Sequence, residues 1–321
     1  MDRKDRRILF ELDRNARISF HALAKKTKIP EETVRYRVNK LEQEGIIRKF
    51  LAIINSRQLG YSYYQVLFKL QNVDQHKKSE FIKQLMADHR TGWVTELEGM
   101  FDIGMIVLVK NQLELHSLVD ALYAKFAPNI MRRSISIHLT GTFLPRDYLI
   151  DKTRMKSVQP SYHPAEKELV IDETDERICT LLSDNSRLSA TEIAKKIRCS
   201  TDTVINHMRK LIKQHVLLAH TILLDNEKVN QLHYKVLVYL NNSSIGRINA
   251  LQAHAAMNNR AIAIIRTLAA WDFEIDLEIE NMSQLREFTM SLTSQFSDIV
   301  RDYETVRIIE MPKYTFFPEK K

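Results

Sequence analysis

The sequence predicts an α+β chain of two tandem modules, each with three short helices leading into a βαββαβ unit. Three observations carry this. The chain repeats itself at a fixed offset of 170 residues. Each repeat opens with apolar residues at helical spacing, then changes to two-residue alternation interrupted by two amphipathic helices. Without a gap, residues 5–47 align with 175–217, and 14 of the 43 positions are identical, among them Ile8/Ile178, Arg17/Arg187, Ser19/Ser189, Thr33/Thr203 and Leu41/Leu211. The register persists at Tyr64/Tyr234, Val66/Val236, Asp102/Asp272 and Leu115/Leu285, so the duplicated unit is a whole module. Two copies are too few for a solenoid and read as a fused pseudo-dimer.

The first three elements follow from local signals. Ile8, Leu9 and Leu12 mark one helix, and Ser19 is a candidate N-cap for the next, which holds Ala22, Leu23 and Ala24. Pro30 suits the first position of a third helix, where its missing N–H would be unpaired anyway. That helix buries Val34, Val38 and Leu41 on one stripe and stops at Gly45. Three helices with a tight turn before the third form a helix-turn-helix. IIRKFLAIIN, from Ile46, reads as a wing and exit strand.

The remainder of each module reads as a ferredoxin-like unit. In the first copy the strands are YYQVLFKLQNV, WVTELEG, DIGMIVLVK and RRSISIHLTGTFL, with helices around Phe81 to Met86 and Leu115 to Leu122. In the second they are KVLVYLN, AIAIIRTL, DFEIDLEIE and TVRIIEM, with helices over 245–258 and 283–296. Residues 151–168 carry two prolines and little apolar pattern, as a partly extended linker would. The expected organisation is therefore a winged helix-turn-helix at 1–55, a ferredoxin-like sensor and dimerisation unit at 60–150, the linker at 151–168, a second winged helix-turn-helix at 169–225 and a second ferredoxin-like unit at 230–321.

Composition narrows the function classes. With 321 residues, 44% hydrophobic and 27% charged, the chain can bury ordinary cores without disulfides or metals. No 18-residue apolar run occurs, and the N-terminus opens straight into a charged helix, so a cytoplasmic protein without membrane contact is expected. Cys179 and Cys199 fall where the first copy has Leu9 and Ile29, and are read as small core hydrophobes. Charge is unevenly placed. Residues 1–50 hold 14 Lys/Arg against 8 Asp/Glu, whereas 168–220 hold 8 of each, which points the first copy at a polyanion.

A helix of this kind fits the major groove of DNA, where Arg can bridge guanine and Asn can pair with adenine. The expected base-reading residues are Thr33, Arg35, Tyr36, Asn39 and Lys40, with Arg17, Lys25, Lys26 and Lys28 near phosphates. Arg37, at the border of the buried stripe, suits either a phosphate contact or an internal brace. The second copy offers Thr201, Thr203, Asn206, Arg209 and Lys210 from a net-neutral domain, so weaker or architectural contacts are expected there.

With these residues on the page, the N-terminal segment resembles the helix-turn-helix of the Lrp/AsnC (leucine-responsive regulator) family. The likeness is carried by Asp5, Ile8, Leu9, Arg17, Ser19, Leu23, Ala24, Arg37, Gly45, Ile46 and Ile47. EGMFDIGMIVLV is similar to the family's Gly-x-Tyr-Asp turn, with Gly99, Phe101 and Asp102. The resemblance implies a transcriptional regulator binding pseudo-palindromic double-stranded DNA, a tandem form characteristic of archaea, and homo-oligomers through the ferredoxin-like units. It also implies an amino-acid effector near Gly99, Asp102 and Asp272. In the second copy Arg35, Arg37 and Gly45 become Ile205, His207 and His215, and Gly99 and Phe101 become Ala269 and Trp271.

The competing classes are a non-DNA-binding ligand sensor on the same fold and an enzyme, because siroheme decarboxylases have a fold similar to these regulators. Such chemistry needs His and Arg gathered around a tetrapyrrole, and His76, His89, His116 and His138 are scattered along the sequence. No zinc spacing, phosphate loop or nucleophile motif occurs. Hence no catalytic residue, cofactor or metal is expected.

Overall fold

A computed structural model describes residues 1–165, 167–241 and 244–318. Glu166 of the expected linker, Asn242 and Ser243, and 319–321 at the end of the expected second ferredoxin-like unit lie outside the described residues.

Each copy starts on a capping box. The Asp2 carboxylate accepts from Lys4 and Asp5 N–H to open α1 (Arg3–Arg14), and the Asp172 carboxylate accepts from Asp175 N–H to open α6 (Glu173–Asp184). Ser19 caps α2 (Phe20–Thr27), Ser189 caps α7 (Ala190–Ile197), and Ser200 caps α8 (Thr201–Lys213). Pro30 stands one position earlier than its sequence suggests, as the N-cap of α3 (Glu31–Gln43), with its carbonyl accepting from Val34 N–H. Gly45 follows that helix at φ +67°, the left-handed C′ geometry glycine favours; His215 holds the same place in the second copy at φ +55°.

The wing is where expectation and structure part. The strand after α3, β1 (Ile47–Ile54), does not fold back as a hairpin. It pairs antiparallel with its own counterpart, β7 (Leu217–Leu224), as a two-stranded ribbon joining the copies. Both helix-turn-helix cores are completed across this ribbon. Ile222 and Leu224 enter the first core beside Ile8, Leu12 and Val34, and Ala52, Ile53 and Ile54 enter the second beside Ile178, Leu182 and Val204.

The ferredoxin-like units follow in the predicted order. The first comprises β2 (Ser62–Leu70), α4 (Gln75–Ala87), β3 (Thr91–Glu98), β4 (Ile103–Val109), α5 (Gln112–Phe126) and β5 (Ile130–Phe143). After a two-residue strand, β6 (Ser161–Tyr162), and the second helix-turn-helix come β8 (Leu232–Leu240), α9 (Ile245–Met257), β9 (Ala261–Leu268), β10 (Phe273–Ile279), α10 (Met282–Gln295) and β11 (Val300–Tyr314).

The two four-stranded sheets join edge to edge. β5 and β11 are long enough to pair with their own sheet through one half and with the other copy's sheet through the other, so β3–β11 and β5–β9 close a ring of eight strands. Closure removes the sheet edges. Outward residues such as Val66, Phe68, Met105 and Val107 pack under α4 and α5, and Val236, Val238, Phe273 and Ile275 under α9 and α10. Inward residues such as Tyr63, Trp93, Leu108 and Ile265 line the inside of the ring.

Candidate nucleic-acid interface and central cavity

α3 presents Arg35, Tyr36, Asn39 and Lys40 to solvent, with Thr33 half-buried. Arg35 lies 3.3 Å from Glu31 and over the Phe20 ring, and Lys40 makes only a loose pair with Glu44 at 3.7 Å. Lys25 and Lys28 are exposed, and Lys26 pairs with Glu11 at 2.8 Å. Such surface pairs contribute little stability and release readily to a phosphate.

In the first copy, two of the expected contact residues are committed elsewhere. Arg37 resolves as the internal brace: its guanidinium donates to Asp2 and Asp5, both at 2.7 Å, tying α3 to the cap of α1. Arg17 was expected at phosphate. Its Nη1 donates instead to the carbonyls of Ser186 (2.5 Å) and Leu188 (2.7 Å) in the other copy, and Arg187 returns the bond to Ala16 O at 2.9 Å. Around the same pseudo-dyad, Ala16 N–H donates to His220 O and Ser186 N–H to Phe50 O. Burial, together with the facing guanidinium of Arg187, pushes the Arg17 pKa down. The second copy repeats the brace with different groups. His207 Nδ1 lies 2.8 Å from Asp175, and Lys210 donates to Asp175 (2.6 Å) and Asp172 (3.4 Å). Lys210, expected on DNA, is thus engaged, and Thr203 shares a hydroxyl bond with the Ser200 cap. Asn206 and Arg209 are exposed and Thr201 half-buried. The Asp172, Asp175 and His207 ligand atoms lie close enough for a metal ion, and the Lys210 ammonium pairs with both carboxylates through their Oδ2 atoms.

At the sensor turns, Asp102 and Asp272 play one role. Each carboxylate accepts from a strand N–H, Leu70 and Leu240 respectively, both at 2.7 Å, and Asp102 also takes Lys69 at 2.9 Å. Gly99 holds φ +118° at the first turn.

A second site lies where sequence reasoning found none. A cavity of about 580 Å³ sits between the inner faces of the closed sheet and the β1–β7 ribbon, with residues 152–160 along one side. His138 on β5 and His233 on β8, far apart in sequence and in different copies, both line it, as do Arg146, Lys235 and Asp276. The expectation that histidine and arginine stay scattered is therefore corrected; the ring closure that gathers them leaves no signature in either copy alone.

The buried charges here are paired. Arg146 bridges Asp13 (2.6 Å) and Glu278 (2.8 Å), and the Tyr148 hydroxyl donates to Glu278. Lys235 bridges Glu274 (2.9 Å) and Asp276 (3.1 Å), while Gln65 and Trp271 donate to Glu274. Burial pushes Glu274 up, but Lys235 and His138 outweigh it and hold the carboxyl well below its usual range; Lys235 is raised in turn by the two carboxylates. Arg154 anchors the linker, donating to Asp147 and to the carbonyls of Ala256, Asn258 and Ala261. The linker is thus tied down at Arg154. The sequence signal for all this was comparison of the copies at inward positions: Gly104, Ile106 and Leu108 against Glu274, Asp276 and Glu278.

Comparison with known proteins fits this geometry. A winged helix-turn-helix DNA-binding family matches residues 1–48, and the AsnC-type helix-turn-helix domain matches 171–212. The chain is 34% identical over 122 residues to the HTH-type transcriptional regulator FL11 of Pyrococcus abyssi, covering 38% of this chain and 80% of that protein. The chain belongs to the Lrp/AsnC family. A further Lrp/AsnC-type relative, an uncharacterized HTH-type transcriptional regulator of Pyrococcus furiosus, is 37% identical over 123 residues, covering 38% of this chain and 82% of its own. The tandem Lrp/AsnC architecture is matched over nearly its full length by the crystal structure of the siroheme decarboxylase NirDL, with a TM-score of 0.60, 15% identity and coverage of 99% of this chain and 94% of that one. At that identity the likeness is one of fold. No helix among the described residues is long and apolar enough to cross a membrane.

Proposed function

We propose that this Lrp/AsnC chain is a sequence-specific DNA-binding transcriptional regulator in which one polypeptide supplies both halves of the dimer. The observation that carries the reading is the cross-copy lock. Reciprocal Arg17 and Arg187 bonds and the β1–β7 ribbon fix two helix-turn-helix units about a pseudo-dyad, while Arg35, Tyr36, Asn39 and Lys40 stay outside the lock. A pseudo-dyad of recognition helices suits a pseudo-palindromic duplex with half-sites about one helical turn apart, or a multiple of it. Because Arg35 faces DNA in one copy and Ile205 in the other, the operator is asymmetric, with the first copy providing most of the affinity.

Fluorescence anisotropy of the duplex upstream of this chain's own gene against scrambled duplex, over several salt concentrations, tests this. Tighter binding of the native duplex, with a steep negative log–log salt slope, supports it. Absence of binding at low salt removes it.

One observation favours a second reading, catalysis on a tetrapyrrole as in the siroheme decarboxylase of the same fold: the cavity collects His138, His233, Arg146 and Lys235. Mass spectrometry of siroheme incubated with the protein decides it. Loss of carboxyl groups supports catalysis, and unchanged siroheme excludes it.

A further inference from the structure

We propose that Asp172, Asp175 and His207 form a structural site for one divalent transition-metal ion of the Zn²⁺ class, which ties the third helix of the second copy, α8, to the start of α6.

The three side chains converge from two helices. One ligand atom from each lies within 4.8 Å of the other two. His207 Nδ1 is 2.8 Å from Asp175 Oδ1 and 3.7 Å from Asp172 Oδ1. Bonds of about 2.0–2.2 Å to a tetrahedral zinc ion put neighbouring ligand atoms roughly 3.3 Å apart, and the two separations straddle that value. No other group of three His, Cys, Asp or Glu side chains among the described residues meets this spacing. Because His207 stands 32 residues after Asp175, on a different helix, the set forms no zinc spacing in the sequence.

The carboxylates are oriented before any ion arrives. Asp175 is fully buried, Asp172 Oδ1 accepts from Asp175 N–H at 2.9 Å, and Asp175 Oδ2 accepts from Asp172 N–H at 3.4 Å. Outer hydrogen bonds of this kind fix ligating carboxylates in place. One imidazole with two carboxylates suits Zn²⁺ and its neighbours, with water in the fourth position.

The first copy fills the same place differently. Asp2 and Asp5 stand where Asp172 and Asp175 do, and both accept from Arg37 Nη1, at the position of His207. A guanidinium has donors only, so no ion can be ligated there. Exchanging Arg37 for His207 keeps the two acids, removes the permanent charge and adds a nitrogen lone pair that takes a metal once the Nδ1 proton leaves to solvent. Lys210 is the competitor. Its ammonium lies 2.6 Å from Asp175 Oδ2 and 3.4 Å from Asp172 Oδ2, on the oxygens other than those paired with His207. The Lys210 side chain is 40% exposed, and its flexible stem lets it swing into solvent when the ion enters.

Isothermal titration calorimetry of the chelator-treated full chain with Zn²⁺, and visible absorption with Co²⁺ as a second probe, test the site. Saturable binding of one ion per chain is expected. His207→Arg installs the first copy's brace and should weaken binding about tenfold or more. Asp172→Asn keeps a good N-cap while removing a charged ligand, and should do the same, so a folding failure in one variant leaves the other to decide. Lys210→Ala removes the competing ammonium and should tighten binding about threefold or more. In thermal unfolding Zn²⁺ should raise the midpoint of the parent chain and leave that of His207→Arg unmoved. No saturable binding up to about 100 μM, or binding unaltered in His207→Arg or Asp172→Asn, would mean an adventitious ion only and overturns the site. Affinity unchanged or lower in Lys210→Ala overturns the placement of the ion at these carboxylates.

Discussion

The two copies share a backbone and differ in what they place inside it. On the inward face of β4 the first copy has Gly104, Ile106 and Leu108; on β10 the second has Glu274, Asp276 and Glu278. On β2 Tyr63 and Gln65 face the interior where β8 places His233 and Lys235. In a homodimer every inward substitution is made twice, and three carboxylates would become six. Fusion lets one half stay apolar and aromatic while the other becomes ionic, which builds a chamber with chemically distinct walls. The helix-turn-helix pair diverges the other way. The first copy exposes Arg35 and Lys40 on its third helix, where the second has Ile205 and Lys210, the latter paired with Asp172 and Asp175.

The ionic half of this comparison breaks most easily at Arg146. Arg146→Met strands Asp13 and Glu278 in the interior and should cost about 3–5 kcal/mol in chemical denaturation, because an uncompensated buried charge is the expensive product. Giving Glu278 the first copy's residue as well, in Arg146→Met/Glu278→Leu, should recover part of that loss. A double variant no more stable than the single would show that the carboxylate is not the source of the cost.

The comparison of DNA-reading surfaces sharpens next. Arg35→Ala should lower operator affinity by about 1–3 kcal/mol, and Asn206→Ala by clearly less. Equal losses in an anisotropy titration would remove the claimed asymmetry.

At the pseudo-dyad, Phe50 and His220 occupy equivalent places. Arg187 lies over the Phe50 ring, while His220 faces Arg17. Burial and Arg17 push His220 down to about 3. A folded-state value below the unfolded one stabilises the protein above about pH 6.5, and that stabilisation is lost as pH falls towards the folded value. The loss between pH 7 and pH 4 should be about 3 kcal/mol at most and should flatten in His220→Phe, which installs the first copy's residue. The same decline in both proteins, followed by thermal unfolding, would assign it to other groups.

How much of this was legible follows from where each signal resides. The helix caps, the Val34, Val38 and Leu41 stripe and the strand alternation are properties of one stretch of chain, and they read correctly. The pairing of β1 with β7 and the closure by β5 and β11 are relations between copies, so IIRKFLAIIN reads alone as a wing. DFEIDLEIE alternates acid and apolar as a solvated strand would, and only the closed ring turns its acids inward. Arg17 is the instructive case. Its identity with Arg187 fits shared DNA contact as well as mutual bonding, and the neutral charge of the second copy was the available hint for the latter.

That last distinction can be measured. Arg17→Ala removes bonds to Ser186 and Leu188 carbonyls and should cost about 1–2 kcal/mol of stability while leaving the salt slope of DNA binding unchanged. Lys28 is exposed at the left-handed end of α2, with φ +57°, and makes no ion pair among the described residues. Lys28→Ala should leave stability within about 0.5 kcal/mol and reduce the log–log salt slope by about 1 if its ammonium neutralises a phosphate. The two outcomes are opposite in kind although both variants remove one cation from the same domain. A slope change in Arg17→Ala would mean that the guanidinium leaves the cross-copy lock when DNA is present, and the lock would then be a feature of the free protein alone.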